Sequence, residues 1–340
     1  MKICICGGGS LGHVCIGYLS EKNVDIFLLT KHPDKWESSI VVNDCQGNHF
    51  SGNINKISSY AKDVIPDSDI VLLCVPGFLI KDTLKEIKPY LTQKTIVGSV
   101  VSNTGFFFFA HDILLKDTKL FGFQRVPFIA RVVKYGHEAN LLGYKSGLSV
   151  AIENIEDKQG FACDLETLFY KPIKILDNFY EATLSNSNPI LHTGRLYSMW
   201  HDWNGKTWEK CILFYKEWDE QSAQIIIDMD REFMLLLNVL KIRKGAIPSL
   251  LEYYESYDAK SLADKISSIP AFQNILSPMK ETSEGWIPDF KSRYFTEDFP
   301  YGLRFIKDLA VQYNIKTPMI DKVYAWGCKN MSPTYNLGIL

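Results

Sequence analysis

Six consecutive residues near the amino terminus, Gly7-Gly8-Gly9-Ser10-Leu11-Gly12, have the spacing of a phosphate-binding turn. Gly7, Gly9 and Gly12 match G-x-G-x-x-G, a pattern that means little in an isolated loop. Here it follows a short apolar run (residues 3–6) and opens a helix-spaced segment (residues 11–19), which is the context that gives it meaning. Gly7 permits the tight turn, Gly9 lets a diphosphate approach the backbone, and Gly12 lets the helix lie close to the strand. The free N–H groups of Ser10 and Leu11 then face the anion at the positive end of the helix. The chemistry implied is dinucleotide binding; a glycine-rich turn that binds nothing is the competing reading.

The end of the next apolar run (residues 24–30) reads Thr30-Lys31-His32. NAD-binding versions of the turn usually carry Asp or Glu there to accept from the adenine ribose hydroxyl. With no carboxylate to repel a 2′-phosphate and with Lys31 able to neutralise one, NADP is favoured over NAD, unless Lys31 simply points to solvent. Val75-Pro76-Gly77 ends another strand-like run and places Pro76 beside the expected cofactor. Far along the chain, Ser187-Asn188-Pro189-Ile190-Leu191-His192 puts an imidazole early in a helical stretch. A neutral-pH proton donor or acceptor is one use for it. A lone histidine on an apolar helix face is more often a packed core or surface group.

The elements that must position these residues divide the chain in two. Residues 69–75 (DIVLLCV) and 95–101 (TIVGSVV) are continuous apolar runs separated by a helix over 80–90. Strands without alternation are what a parallel sheet covered on both faces requires. Residues 39–43 and 49–54 look like a hairpin, and 129–135, 139–144 and 148–153 read as short antiparallel additions. The fold class is α/β, with residues 1–178 forming an N-terminal doubly wound Rossmann domain. Beyond 178 the periodicity becomes helical over 179–200, 217–242, 248–256, 261–267 and 300–313, with no good strand, so residues 179–340 are expected to form an all-helical domain. Phe106, Phe107, Phe108 and Phe109 run consecutively and read as core, an exposed pair among them marking an interface. The aromatic stretch 197–218 reads as packing between helices before it reads as a pocket lining.

Composition excludes several classes. The 340 residues suit about two domains, and 46% hydrophobic with 22% charged excludes general disorder. Thirty-seven basic against 39 acidic residues, with no basic run, give no nucleic-acid footprint. No apolar stretch reaches the ~20 residues needed to cross a bilayer, and none of signal-peptide length follows Met1. The eight cysteines form no C-x-x-C pair and the histidines no metal-ligand spacing, so reduced thiols, a cytoplasmic location and no structural metal are expected. A homodimer is left open.

Three further segments carry a resemblance. They are Leu213-Phe214-Tyr215-Lys216-Glu217, then Arg293-Tyr294-Phe295-Thr296-Glu297-Asp298-Phe299-Pro300-Tyr301-Gly302, then Ile315-Lys316-Thr317-Pro318-Met319-Ile320-Asp321. With Asn188-Pro189…His192 before them, they resemble, in order, segments of the octopine/nopaline (opine) dehydrogenase family. The resemblance runs from Lys2 to about Asp321. It implies NAD(P)H-dependent reductive condensation of an α-keto acid with the amine of an amino acid or similar amine.

Carried over residue by residue, the resemblance puts the catalytic histidine on His192, its acidic partner on Asp298 and the substrate-carboxylate arginine on Arg293. These roles suit their chemistry. A carboxylate holds one imidazole nitrogen and fixes the tautomer, and a guanidinium grips a carboxylate with a planar fork. Asp298 before Pro300 also has the form of a helix N-cap. Asn188 is read as a substrate contact or a helix cap. Gln124 resembles a family substrate residue in a Q-x-x-P…R segment, while Arg125 and Arg131 are as readily surface or fold-holding groups. Two alternatives stand. A hydroxyacid or ketopantoate-type reductase would typically use a lysine on the helix around residues 181–199, which has none. A catalytically silent nucleotide-binding sensor is the other. The tail after Lys329, with Pro333, is shorter than the family's usual ending.

Overall fold

The computed structural model describes residues 1–331, and two compact units divide the chain, one spanning Met1–Ser185 and the other starting at Asn186. The tail around Pro333 lies outside the described residues. Between the two units the chain turns polar, Ser185-Asn186-Ser187. It breaks the helix expected over 179–200 into Phe179–Thr183 and Asn188–Trp200. Pro189 explains the restart, because proline fits a first helical turn and not an interior one.

The first unit is built on an eight-stranded sheet. In spatial order its strands are Ile173–Ile175, Leu148–Glu153, Lys119–Phe123, Ile96–Ser99, Ile70–Leu73, Lys2–Cys6, Asp25–Leu29 and Lys56–Ser58. Every pairing is parallel except that of Leu148–Glu153 with Lys119–Phe123. Ile70–Leu73 is buried along its whole length, which accounts for the unbroken apolar run in the sequence. A second sheet of four strands sets the hairpin Ser39–Asp44/His49–Asn53 beside Glu138–Tyr144 and Phe128–Lys134. The helix Ser10–Ser20 packs against this sheet and is almost wholly buried. The phenylalanine run forms the helix Phe106–Ile113, which buries Phe106, Phe107 and Phe109.

The second unit is mainly helical. Asn188–Trp200 packs on the twenty-residue helix Glu220–Val239, which Asp219 caps by accepting from the Ser222 N–H. Ala259–Ser268, Arg304–Gln312 and Pro318–Asn330 complete the larger helices. The expectation of no strand here is corrected by a hairpin, Met279–Thr282 with Gly285–Pro288. Its four-residue strands carry Lys, Glu, Gly and Pro and show no alternation, so no period-two signal existed to read. Backbone bonds with Trp208 at 2.8 and 2.9 Å anchor it. Within 197–218, Trp200 and Phe214 are fully buried and Tyr197, Tyr215 and Trp218 nearly so, so these aromatics serve as core packing.

Candidate active site

In the first unit the glycine turn closes the bottom of a cavity of about 380 Å³. Gly7 has a φ of +117°, and a Cβ on it would stand 2.7 Å from the Cys74 carbonyl oxygen. A Cβ on Gly12 would stand 2.0 Å from the Gly7 carbonyl oxygen, so the helix starts as close to the strand as backbone allows. A Cβ on Gly9 would meet nothing within 4 Å. That space opens at the start of an eleven-residue helix with no acidic residue in its first turn. Unpaired N–H groups and room for an anion at that position suit a diphosphate.

The cavity wall includes Gly7, Gly9, Thr30, Lys31 and Pro76 from the sequence reading. Ser10, Leu11 and Gly12 are not on it. The Ser10 hydroxyl instead accepts from the Val132 N–H at 3.2 Å, which ties the turn to the second sheet. Tyr135, Asp82 and Glu86 also line the cavity, and nothing in their local sequence marked them. His13 was missed as well. Its Nδ1–H donates to the Gly9 carbonyl at 2.9 Å, its Nε2 accepts from the Gly136 N–H at 2.8 Å, and its ring lies 4.2 Å from that of Trp36. Both partners require the neutral imidazole, and burial pushes its pKa down accordingly. The residue thus stiffens the glycine turn from behind.

Gln124 spends an N–H on the Glu181 carbonyl at 2.9 Å, and Arg125 donates to the Ser185 carbonyl at 2.9 Å. Both contacts stay within the first unit and hold the end of its chain. Arg131 is exposed on the strand Phe128–Lys134.

In the second unit the structure brings His192 and Asp298 together. The His192 Nδ1 lies 2.8 Å from the Asp298 Oδ2, and the two side chains are 11% and 18% exposed. A carboxylate can only accept, so Nδ1 carries a proton, and in the neutral imidazole Nε2 is then bare. The Tyr215 hydroxyl donates to that bare nitrogen at 2.8 Å. Tyr294 lies beside the imidazole at 4.7 Å, tilted by 51°, and Phe214 meets it edge-on at 5.6 Å. Asp298 occupies the cap position of the next helical segment, yet its side chain makes no cap bond. The segment Phe299–Leu303 is a π-turn, with the Leu303 N–H bonded to the Asp298 carbonyl at 2.8 Å. Gly302 lets Pro189 press against that turn, because a Cβ there would stand 2.5 Å from the Pro189 Cγ. Close approach of the two segments sets the distance between imidazole and carboxylate.

Arg293 is not drawn into this group. Its side chain is 82% exposed and pairs through Nε and Nη2 with the Glu297 carboxylate at 3.0 and 2.7 Å. Asn188 begins the histidine's helix, one turn before His192. The cap position belongs to Ser187, and the Asn186 side chain accepts from the Asn188 N–H at 3.3 Å. Tyr215 was legible as part of a family-like segment but had no assigned role, since nothing local places its hydroxyl at residue 192.

The arrangement of the second unit is a carboxylate–imidazole–hydroxyl chain able to move a proton, and the first unit has a cradle for a dinucleotide. Comparison with known proteins gives both a context. Residues 175–331 match the family model described as NAD/NADP octopine/nopaline dehydrogenase, alpha-helical domain, and residues 3–102 match that described as ketopantoate reductase PanE/ApbA. An opine dehydrogenase of Haliotis discus hannai is 26% identical over 99% of this chain and 92% of its own length. A tauropine dehydrogenase of Arabella iricolor is 26% identical, over 98% and 92%. A solved structure of octopine dehydrogenase with NADH and L-arginine superposes with a TM-score of 0.84 at 24% identity, covering 97% of this chain and 89% of that one. Among the described residues no helix is long and apolar enough to cross a membrane.

Proposed function

We propose that this chain, whose residues 175–331 match the octopine/nopaline dehydrogenase helical-domain model, catalyses the reversible reductive condensation of an α-keto acid with the amine of an amino acid or similar amine. The observation that carries this reading is the His192–Asp298 pair at 2.8 Å, with the second imidazole nitrogen turned to a hydroxyl. Condensation needs a proton for the departing hydroxyl of the carbinolamine, and the reverse reaction needs a base for the secondary ammonium. An imidazole whose tautomer is fixed by a carboxylate does both.

The nicotinamide dinucleotide would be held by Gly7 and Gly9 of the glycine turn with Thr30, Lys31 and Pro76 on the cavity wall, while Ser10 and Leu11, off that wall, would offer only backbone N–H groups at the helix start. When bound it supplies hydride to the imine carbon. Asp298 orients His192 and stabilises its protonated form. Arg293 holds the substrate carboxylate. Two of its five N–H donors are spent on Glu297, and the rest remain for a planar anion. Asn188, one helical turn from His192, offers its carboxamide to the same substrate.

NADP is the preferred cofactor in this reading. Thr30-Lys31-His32 places a cation and no carboxylate at the strand end, and Lys31 is exposed on the cavity wall. Asp82 and Glu86 on the same wall oppose it, so Lys31 has to outweigh them locally. A cytoplasmic setting agrees with cysteines lacking any paired spacing. The ketopantoate-type alternative shares the nucleotide-binding half, yet the helix Asn188–Trp200 carries no lysine.

The test is oxidation of NADPH or NADH by the purified protein across a matrix of α-keto acids and amines, with product mass measured. At least one pair is expected to give a product whose mass is the sum of the two substrates less water plus two hydrogens. Tight cofactor binding with no product from any pair would favour a sensor instead.

A further inference from the structure

We propose that the Tyr215 hydroxyl passes the proton between His192 and the substrate, with the buried Arg195 as the positioning residue that keeps it there. The inference deepens the reaction proposed above and rests on it. With Nδ1–H given to Asp298 and Nε2 taken by Tyr215, the imidazole has no nitrogen open to a substrate. Proton exchange must run through that hydroxyl, or the hydroxyl must leave.

The surrounding frame opposes its leaving. The Tyr215 ring is 6% exposed and stacked between Phe272, at 4.4 Å and 25°, and Trp218, at 5.9 Å and 7°. Its backbone is bracketed on both sides by one guanidinium. Arg195 Nε donates to the Phe214 carbonyl at 3.2 Å and Nη2 to the Glu217 carbonyl at 2.6 Å, while Nη1 reaches the Ser222 hydroxyl at 2.6 Å. The Phe214 N–H is bonded to the Ile275 carbonyl at 2.8 Å and the Leu213 N–H to the Glu217 carboxylate at 2.9 Å. Arg195 is three residues after His192 on the same helix, so one element carries both the imidazole and the bracket for its partner. A rigid planar fork is the side chain suited to holding separate acceptors at fixed angles. Burial, with Tyr294, Tyr254 and Asp298 nearby, raises the phenol above its usual pKa, so Tyr215 stays a donor through the neutral range.

In the reductive direction the step balances as follows. The carbinolamine C–O bond breaks and its electron pair leaves with the oxygen, which takes the Tyr215 proton and departs as water. The nitrogen lone pair forms the C=N bond. The phenol oxygen takes a proton from Nε2 of the imidazolium, leaving a neutral imidazole and an iminium of the same total charge. In the reverse direction the same protons move back.

Tyr215→Phe keeps the stacked ring and removes only the hydroxyl. The expected result is a loss in kcat of about 10²-fold, at the low end for a general acid–base group, with cofactor binding and thermal midpoint unchanged. In mixed light and heavy water, the wild-type rate should curve with isotope fraction, as for two protons in flight, and the variant's should be linear. Wild-type kcat and a curved inventory in the variant would overturn the relay while leaving the reaction standing. So would a raised KM at full kcat, which is the mark of a simple substrate contact. Should Tyr215→Phe fail to fold, fluorotyrosine at position 215 keeps the packing and acidifies the hydroxyl. The relay then predicts a shifted pH profile of kcat, and an unshifted one overturns it. Absence of wild-type turnover with every substrate pair would overturn the reaction itself, and the relay with it.

Discussion

The Nδ1 of His192 stands 2.8 Å from the Oδ2 of Asp298 across 106 residues of sequence. Pro189, three residues before the histidine, packs against Gly302, four residues after the aspartate. The contact is therefore one between two backbone segments, each of which carries one of the polar groups. The pair is nearly buried, and each member satisfies the other, as a polar group withdrawn from water requires.

Gly9→Ala separates the fold from cofactor binding. Its φ of −81° suits alanine and a Cβ there touches nothing in the protein, so the thermal midpoint is expected to hold. If the open space is the diphosphate's, the methyl intrudes on the ligand and weakens binding by about 1–3 kcal/mol, or about 5–150-fold in Kd. Titration calorimetry with the reduced dinucleotides reads both outcomes, and unchanged affinity would place the diphosphate elsewhere.

Lys31→Asp is expected to lower preference for NADP over NAD by about tenfold or more, the scale of one charge-assisted hydrogen bond gained or lost. The ratio of kcat/KM for NADPH and NADH measures it. An unchanged ratio would mean that Lys31 does not contact the ribose phosphate and that Asp82 and Glu86 set the field of the cavity.

Asp230 gives a pH dependence of stability. Burial raises its carboxyl from 3.8 to about 6, although it accepts the Leu250 N–H at 2.8 Å. Between those values the folded state holds a proton that the unfolded state has released, so stability falls as pH rises through the window. Above it the deficit is constant at about 3 kcal/mol. Asp230→Asn keeps an oxygen for the Leu250 N–H and cannot ionise. It is therefore expected to gain stability over the wild type from about pH 4 to about pH 6 in denaturant titrations. A constant difference between the two proteins across that range would show that Asp230 ionises normally.

The sequence made some of this legible and could not have made the rest so. Residues 70–73 are buried on both faces and therefore read as a continuous apolar strand. The glycine turn was legible because backbone-to-backbone approach leaves no other residue type at Gly12. Glu297, one helical turn on, takes two of the donors of the Arg293 fork and leaves the others, an i,i+4 pairing that the spacing does contain. Tyr215 could not be assigned. Its hydroxyl reaches His192 through a loop held by Arg195, and that contact has no local periodicity. The hairpin Met279–Thr282/Gly285–Pro288 escaped for a similar reason, since its bonds to Trp208 rather than its own residues hold it.

A cycle of His192→Ala, Asp298→Asn and the double variant, assayed for kcat on the best keto acid and amine pair, tests the proposed acid–base unit most directly. Each single change is expected to cost about 10²–10⁴-fold, and the double variant to be no slower than the slower single one, because groups acting as a unit are not additive. Losses that multiply in the double variant, or singles that keep wild-type kcat, would contradict the account.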